Sequence, residues 1–93
     1  MKQSDLCEKF VCGAIRGTAS NMHINGNKIY SYGTVLAQRT TTGHILLNKT
    51  KYSSSTSRQQ SYLNYEISRA YSDDKIIELK DVPMWRQDLR YFL

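Results

Sequence analysis

Lys49 and Lys51 lie one residue apart in Asn48-Lys49-Thr50-Lys51-Tyr52-Ser53, a run that leads directly into Ser54-Ser55-Thr56-Ser57-Arg58-Gln59-Gln60. In an extended strand alternate side chains share a face, which sets the two ammonium groups about 7 Å apart on one side. The hydroxyl run that follows holds two capping-box pairs, Ser57 with Gln60 and Thr56 with Gln59, so a helix is expected to open there. A helix start presents unpaired N–H groups and the positive end of a dipole. Two lysines with Ser55, Thr56 and Ser57 beside such a start are the ingredients of an anion site. The plainer alternative is that the hydroxyls only cap the helix.

A second row, Arg58, Tyr62, Tyr65 and Arg69, recurs at i, i+4, i+7 and i+11 and falls along one edge of the same helix. Arginine interleaved with tyrosine can pair phosphates while stacking on bases, as in single-strand binders. The competing reading is that the tyrosines close the rim of the core with their hydroxyls in water.

Catalytic patterns are missing from the sequence. There is no P-loop, no G-x-S-x-G elbow and no H-E-x-x-H pair. Glu66 is the single carboxylate between residues 21 and 72, whereas general acid–base work needs two tuned groups within reach of one substrate. Tyr52 with Lys51 and Arg58 would make a crude phosphoryl-transfer site, but no metal-binding carboxylates accompany them. Cys7, Cys12, His23 and His44 are too scattered for zinc, and cysteines five apart in a helix cannot bridge. Both thiols are expected reduced and both histidines ordinary. The residues therefore point to a binding protein, not an enzyme, with no metal and no cofactor.

The chain has 93 residues, enough for one domain over 1–93. No run of 18 apolar residues occurs and no signal-peptide stretch opens the sequence, so no membrane role and a cytoplasmic address are expected. The net charge of +5 is concentrated in the middle: residues 21–72 carry Lys28, Arg39, Lys49, Lys51, Arg58 and Arg69 against Glu66 alone. A field of one sign favours a polyanion or an acidic protein as partner.

The elements that must position these groups follow from periodicity. Leu6, Phe10 and Ala14, with Cys7, Val11 and Ile15, form one apolar stripe, and the expected N-terminal helix occupies 1–17 with its regular part at 5–16 and Gly17 as its stop. Asn25-Gly26 predicts a type I′ hairpin. Antiparallel hairpins are expected over 22–53, with one strand running from Ile29 through Arg39 and a bulge or a close backbone approach at Gly33. A helix is expected over 56–71, with Leu63, Ile67 and Ala70 facing the sheet. Residues 76–93 then give a short edge strand, Ile76–Leu79, and a terminal helix started by Pro83 in which Trp85, Leu89 and Phe92 seal the core. The fold class is α+β: a meander of three to four antiparallel strands packed by an N-terminal helix, a helix near 56–71 and a short C-terminal helix.

With these residues set out, the chain resembles a family of small proteins of unknown function from phages, archaeal viruses and related mobile elements. The resemblance rests on Tyr30-Ser31-Tyr32-Gly33-Thr34-Val35-Leu36-Ala37, on Asn48-Lys49-Thr50-Lys51-Tyr52-Ser53 with Thr56-Ser57-Arg58-Gln59-Gln60, and on Val82-Pro83 with Asp88-Leu89. It covers about residues 22 to 92 and excludes the N-terminal helix. The family's pattern often has Lys at the position of Arg58 and His at that of Gln59. An amide does not titrate near neutrality, so this chain would lack any proton carrier placed there. The resemblance implies a viral or mobile-element origin and no activity.

Three functions remain. The first is nucleic-acid or polyanion binding through Lys49, Lys51, Arg58 and Arg69 with Tyr62 and Tyr65. The second is an anti-defence inhibitor, anti-CRISPR-like, that occupies a host protein or nucleoprotein complex. The third is a phosphate or nucleotide held at the hydroxyl-rich helix start. Oligomeric state is not legible in the sequence.

Overall fold

Leu6, Cys7 and Phe10 are fully buried on one face of α1, Gln3–Val11, in a computed structural model that describes residues 1–92. The helix is shorter than the expected 1–17. It stops where Gly13, at φ 101°, closes a reversed turn in which the Gly13 amide meets the Phe10 carbonyl and the Ala14 amide meets that of Lys9. The chain it releases forms a strand with no apolar alternation to announce it, β1, Arg16–Ala19.

Five strands follow: β2 Met22–Asn25, β3 Lys28–Ser31, β4 Thr34–Arg39, β5 Ile45–Asn48 and β6 Ile76–Leu79. β1 through β5 make an antiparallel meander in sequence order, and β6 joins the far edge parallel to β5. A parallel neighbour needs a crossover, supplied here by α2, Ser54–Ala70. The class is thus α+β, but with a mixed six-stranded sheet in place of three to four antiparallel strands.

Two local expectations shift by a residue or two. The β2–β3 pairing sets Asn25 opposite Lys28, so the turn is Gly26–Asn27 with positive φ at Gly26 only, a type II′ geometry and not type I′. The long strand expected through Arg39 is broken at Tyr32–Gly33, both at positive φ (53° and 89°), which makes a two-residue hairpin turn where a bulge or a close backbone approach was expected. The bulge lies one strand on. Ile29 pairs with Ala37 but Tyr30 with Val35, leaving Leu36 as the extra residue, and Leu36 and Ala37 consequently both face the helices.

The sheet is covered on both faces. On one, Met22, Ile24, Ile29, Leu36, Ile45 and Leu47 pack under α1 and under Leu63 and Ile67 of α2. On the other, Tyr30, Val35, Leu46 and Leu79 pack under Val82 and Leu89 of the C-terminal segment. β5 is buried along its whole length because it meets both layers.

The expected terminal helix does not form. After β6 the chain makes a turn near Met84–Trp85 and one 3-10 turn over Leu89–Phe92. Its backbone is held by side chains of the sheet. Gln38, buried, donates to Asp88 Oδ1 at 3.0 Å and accepts from the Leu89 amide at 2.8 Å. Thr50 Oγ1 accepts from the Val82 amide at 2.8 Å, and the Tyr52 hydroxyl donates to the Val82 carbonyl. Of the expected row Leu89 is in the core and Trp85 is 68% exposed; the side chain of Phe92 lies outside the described residues.

A Cβ on Gly17 would stand 2.8 Å from Leu6 Cδ1, so Gly17→Ala must move a fully buried side chain and should cost about 1–3 kcal/mol in urea denaturation. Burial first, and the Glu66 charge second, push the Cys7 thiol up to about 12, while Cys12 is exposed. At pH 8 a thiol reagent should therefore modify Cys12 quickly and Cys7 only on unfolding. Hydrogen bonds from Arg90 and then Gln38 hold the Asp88 carboxyl well below the usual carboxylate range. A depressed folded pKa gives stability that is present above the unfolded value near ~3.9 and is lost as pH falls toward the folded one. Asp88→Asn should flatten the dependence of melting temperature on pH below about pH 4.

A candidate anion-binding groove beside the second helix

Asn48, fully buried at the end of β5, organises the loop that carries the lysines. Its amide nitrogen donates to the Val35 carbonyl at 3.0 Å and to the Tyr52 hydroxyl at 2.9 Å, and its Oδ1 accepts from the Thr50 amide at 3.0 Å. Both amide hydrogens are used, and the Thr50 bond closes an Asx turn. Gln60 of α2 then donates to the Asn48 carbonyl at 2.8 Å and to the Thr50 carbonyl at 2.9 Å, tying the helix to that turn.

The helix start differs from the expected capping boxes. Ser53 is the N-cap: its Oγ accepts from the Thr56 amide at 3.2 Å, and its hydroxyl donates to Thr56 Oγ1 at 3.1 Å. Gln59 is buried and accepts from the Ser31 hydroxyl of β3, so both glutamines reach the sheet or its loop instead of the helix amides. Thr56 is buried with them, and Ser55 is exposed.

Lys49 and Lys51 do share a flank. They line a cavity of about 190 Å³ with Ser57, Gln60, Ser61 and Asn64. The cavity lies against the side of the first turns of α2, not against the helix end, so the N-terminal amides do not contribute. Arg58, Tyr62, Tyr65 and Arg69 are the adjoining row. At 3.6 residues per turn they fall about 100° further round the helix axis than Ser57, Ser61, Asn64 and Ser68. That row faces solvent: Tyr65 is 60% and Tyr62 36% exposed. The Arg69 guanidinium lies 5.3 Å over the Tyr65 ring and 3.9 Å from Glu66.

Among the described residues the ion pairs are Glu66–Arg69 and Asp88–Arg90, so Lys49, Lys51 and Arg58 carry charge with no carboxylate against them. Arg39 does not join them. It turns inward over the Phe10 ring at 4.5 Å and donates to the carbonyls of Phe10, Ala14 and Gly26, satisfying the end of α1. A second cavity of about 410 Å³ shares Asn64 with the first and is lined by Ser68 on α2, Ile76 and Glu78 on β6, and Asp73. The lysine cavity is basic and its neighbour acidic.

No family model, curated protein or solved structure matches this chain. Among the described residues no cluster of three or more His, Cys, Asp and Glu is placed to hold a metal, and no helix is long and apolar enough to cross a membrane.

Two features escaped the sequence reading. Gln60, Ser61 and Asn64 complete the lysine cavity, and the polar stripe Ser57, Ser61, Asn64, Ser68 at helical spacing was a legible sign of them. The other is a surface cluster in which the Arg86 guanidinium sits 4.5 Å over the Trp85 ring and 3.8 Å over that of Tyr91, with Tyr91 68% exposed. Nothing in the local pattern distinguished an exposed Trp85 from a core one.

Proposed function

We propose that this chain is a non-enzymatic protein that binds single-stranded nucleic acid across the exposed side of α2. Lys49 and Lys51, with Arg58 and Arg69, would meet phosphates, and Tyr62 and Tyr65 would stack on bases. The observation that carries this reading is the shared flank of Lys49 and Lys51, free of carboxylates, next to an exposed Arg–Tyr row. A phage or mobile-element source, acting in the host cytoplasm, is the setting the family resemblance suggests. A free mononucleotide fits less well, because the lysine cavity of about 190 Å³ is smaller than the roughly 300 Å³ at which small-molecule sites begin.

A second reading, an anti-defence inhibitor of the anti-CRISPR kind, is favoured by the Trp85–Arg86–Tyr91 cluster. Trp, Tyr and Arg are the residues that dominate protein–protein hot spots, and here Trp85 and Tyr91 are exposed around a half-buried Arg86. A pull-down of the tagged chain from host lysate, with and without nuclease, separates the two. Loss of the captured material on nuclease treatment, together with binding of a labelled oligo(dT) at low salt, supports the nucleic-acid role. A stoichiometric protein partner that survives nuclease but is lost in Trp85→Ala, with no oligonucleotide binding, replaces it with the second.

A further inference from the structure

β6 is the last strand of the sheet, so one of its edges has no strand beside it. On its inner side the Leu79 carbonyl accepts from the Lys49 amide at 2.7 Å. Backbone groups alternate along a strand, so Ile77 and Leu79 direct theirs toward β5 while Ile76 and Glu78 direct theirs outward. The Ile76 amide turns back to the Asp73 carbonyl. Among the described residues no backbone group pairs with the Ile76 carbonyl or with the amide and carbonyl of Glu78. The same two residues line the cavity of about 410 Å³ that they share with Asn64 and Ser68 of α2 and with Asp73. A free strand edge running beside a helix, with a polar trough between them, is the geometry in which an extended peptide joins a sheet.

The charge of the trough selects the occupant. Glu78 stands exposed in the middle of the free edge and Asp73 lies beside it, with no cation paired to either among the described residues. A charge pointing along an edge discourages indiscriminate strand pairing, whereas a strand with a cation opposite gains a cross-strand ion pair. The adjoining cavity, which shares Asn64, is lined by Lys49 and Lys51, and their charge disfavours a uniformly basic segment. We infer that the outer edge of β6 is a strand-addition site for an extended segment of a partner protein that carries a single Lys or Arg opposite Glu78. This site uses Glu78 and the β6 backbone and does not depend on the nucleic-acid reading, which uses the lysines.

The test is selection of a displayed random heptapeptide library on the intact chain. Enrichment of peptides with Lys or Arg at one fixed position among β-branched neighbours is the expected result. Affinity of a selected peptide should fall about threefold in Glu78→Gln and be lost in Glu78→Pro, which removes the outward amide. Proline is tolerated on an edge where that N–H faces solvent, and an unchanged melting temperature will show that the variant folds. Glu78→Lys, which keeps the backbone intact, should switch the selected residue to Asp or Glu. Absence of cationic enrichment, or equal binding to wild type, Glu78→Pro and Glu78→Lys, overturns the inference. So does sedimentation showing that a second copy holds the edge, through self-association abolished by Glu78→Pro.

Discussion

Raising salt from about 50 to 200 mM should weaken binding of oligo(dT) to the wild-type chain about 50-fold, and to the Lys49→Ala/Lys51→Ala variant only about sevenfold. The figures follow from counterion release. For a single strand the slope of log affinity against log salt is about −0.7 per neutralised phosphate, so four contacts give about −2.8 and two give about −1.4. The four cations are Lys49 and Lys51 on the groove and Arg58 and Arg69 on the adjoining row. Arg39 is left out of the count because its guanidinium is committed to the carbonyls of Phe10, Ala14 and Gly26. Fluorescence anisotropy at four salt concentrations measures both slopes. The lysine side chains make no ion pair among the described residues, so the variant should keep its stability within about 0.5 kcal/mol. Equal slopes for the two proteins would remove the groove from the binding surface, even if some affinity for the oligonucleotide remained.

The largest effect on stability is expected at Asn48. Asn48→Leu should lower unfolding free energy by about 2–4 kcal/mol, because it leaves a buried carbonyl at Val35 and the Thr50 amide without partners and packs apolar carbon against them. For a domain of ordinary stability, about 5–15 kcal/mol, that is a large share. Tyr52→Phe is the instructive companion: it removes only the hydroxyl that joins Asn48 to the Val82 carbonyl, and should cost about 1 kcal/mol. The two losses should not add, since both sit in one hydrogen-bonded unit, and urea denaturation of the double variant measures the coupling. If Asn48→Leu is neutral, the turn that carries Lys49 and Lys51 is not held by this side chain, and the groove loses its structural basis.

Much of the architecture was written in local pattern. The alternation in Met22–Asn25, the apolar stripe of α1 and the row Leu63–Ile67 of α2 each bury one face, and burial of one face leaves a period in the sequence, whereas Ile45–Asn48 and Ile76–Leu79 meet both layers and show only as short apolar runs. Lys49 and Lys51 do line one cavity, but the expected strand ends at Asn48, so it is the Asx turn at Asn48–Thr50, and not strand alternation, that sets them there. What local pattern could not carry was every element whose backbone is satisfied from far away. β1 exists because β2 pairs with it, and the helix expected after Pro83 does not form because Gln38, Thr50 and Tyr52, about thirty to fifty residues earlier, already bond the backbone of Val82 and Leu89. The same distant bonds turned Trp85 outward beside Arg86 and Tyr91, and it was the parallel placement of β6 against β5 that left a strand edge open beside α2. A period in the sequence records which side of an element is covered; which partner covers it, and which edge stays bare, was decided when the sheet closed around residues far apart in the chain.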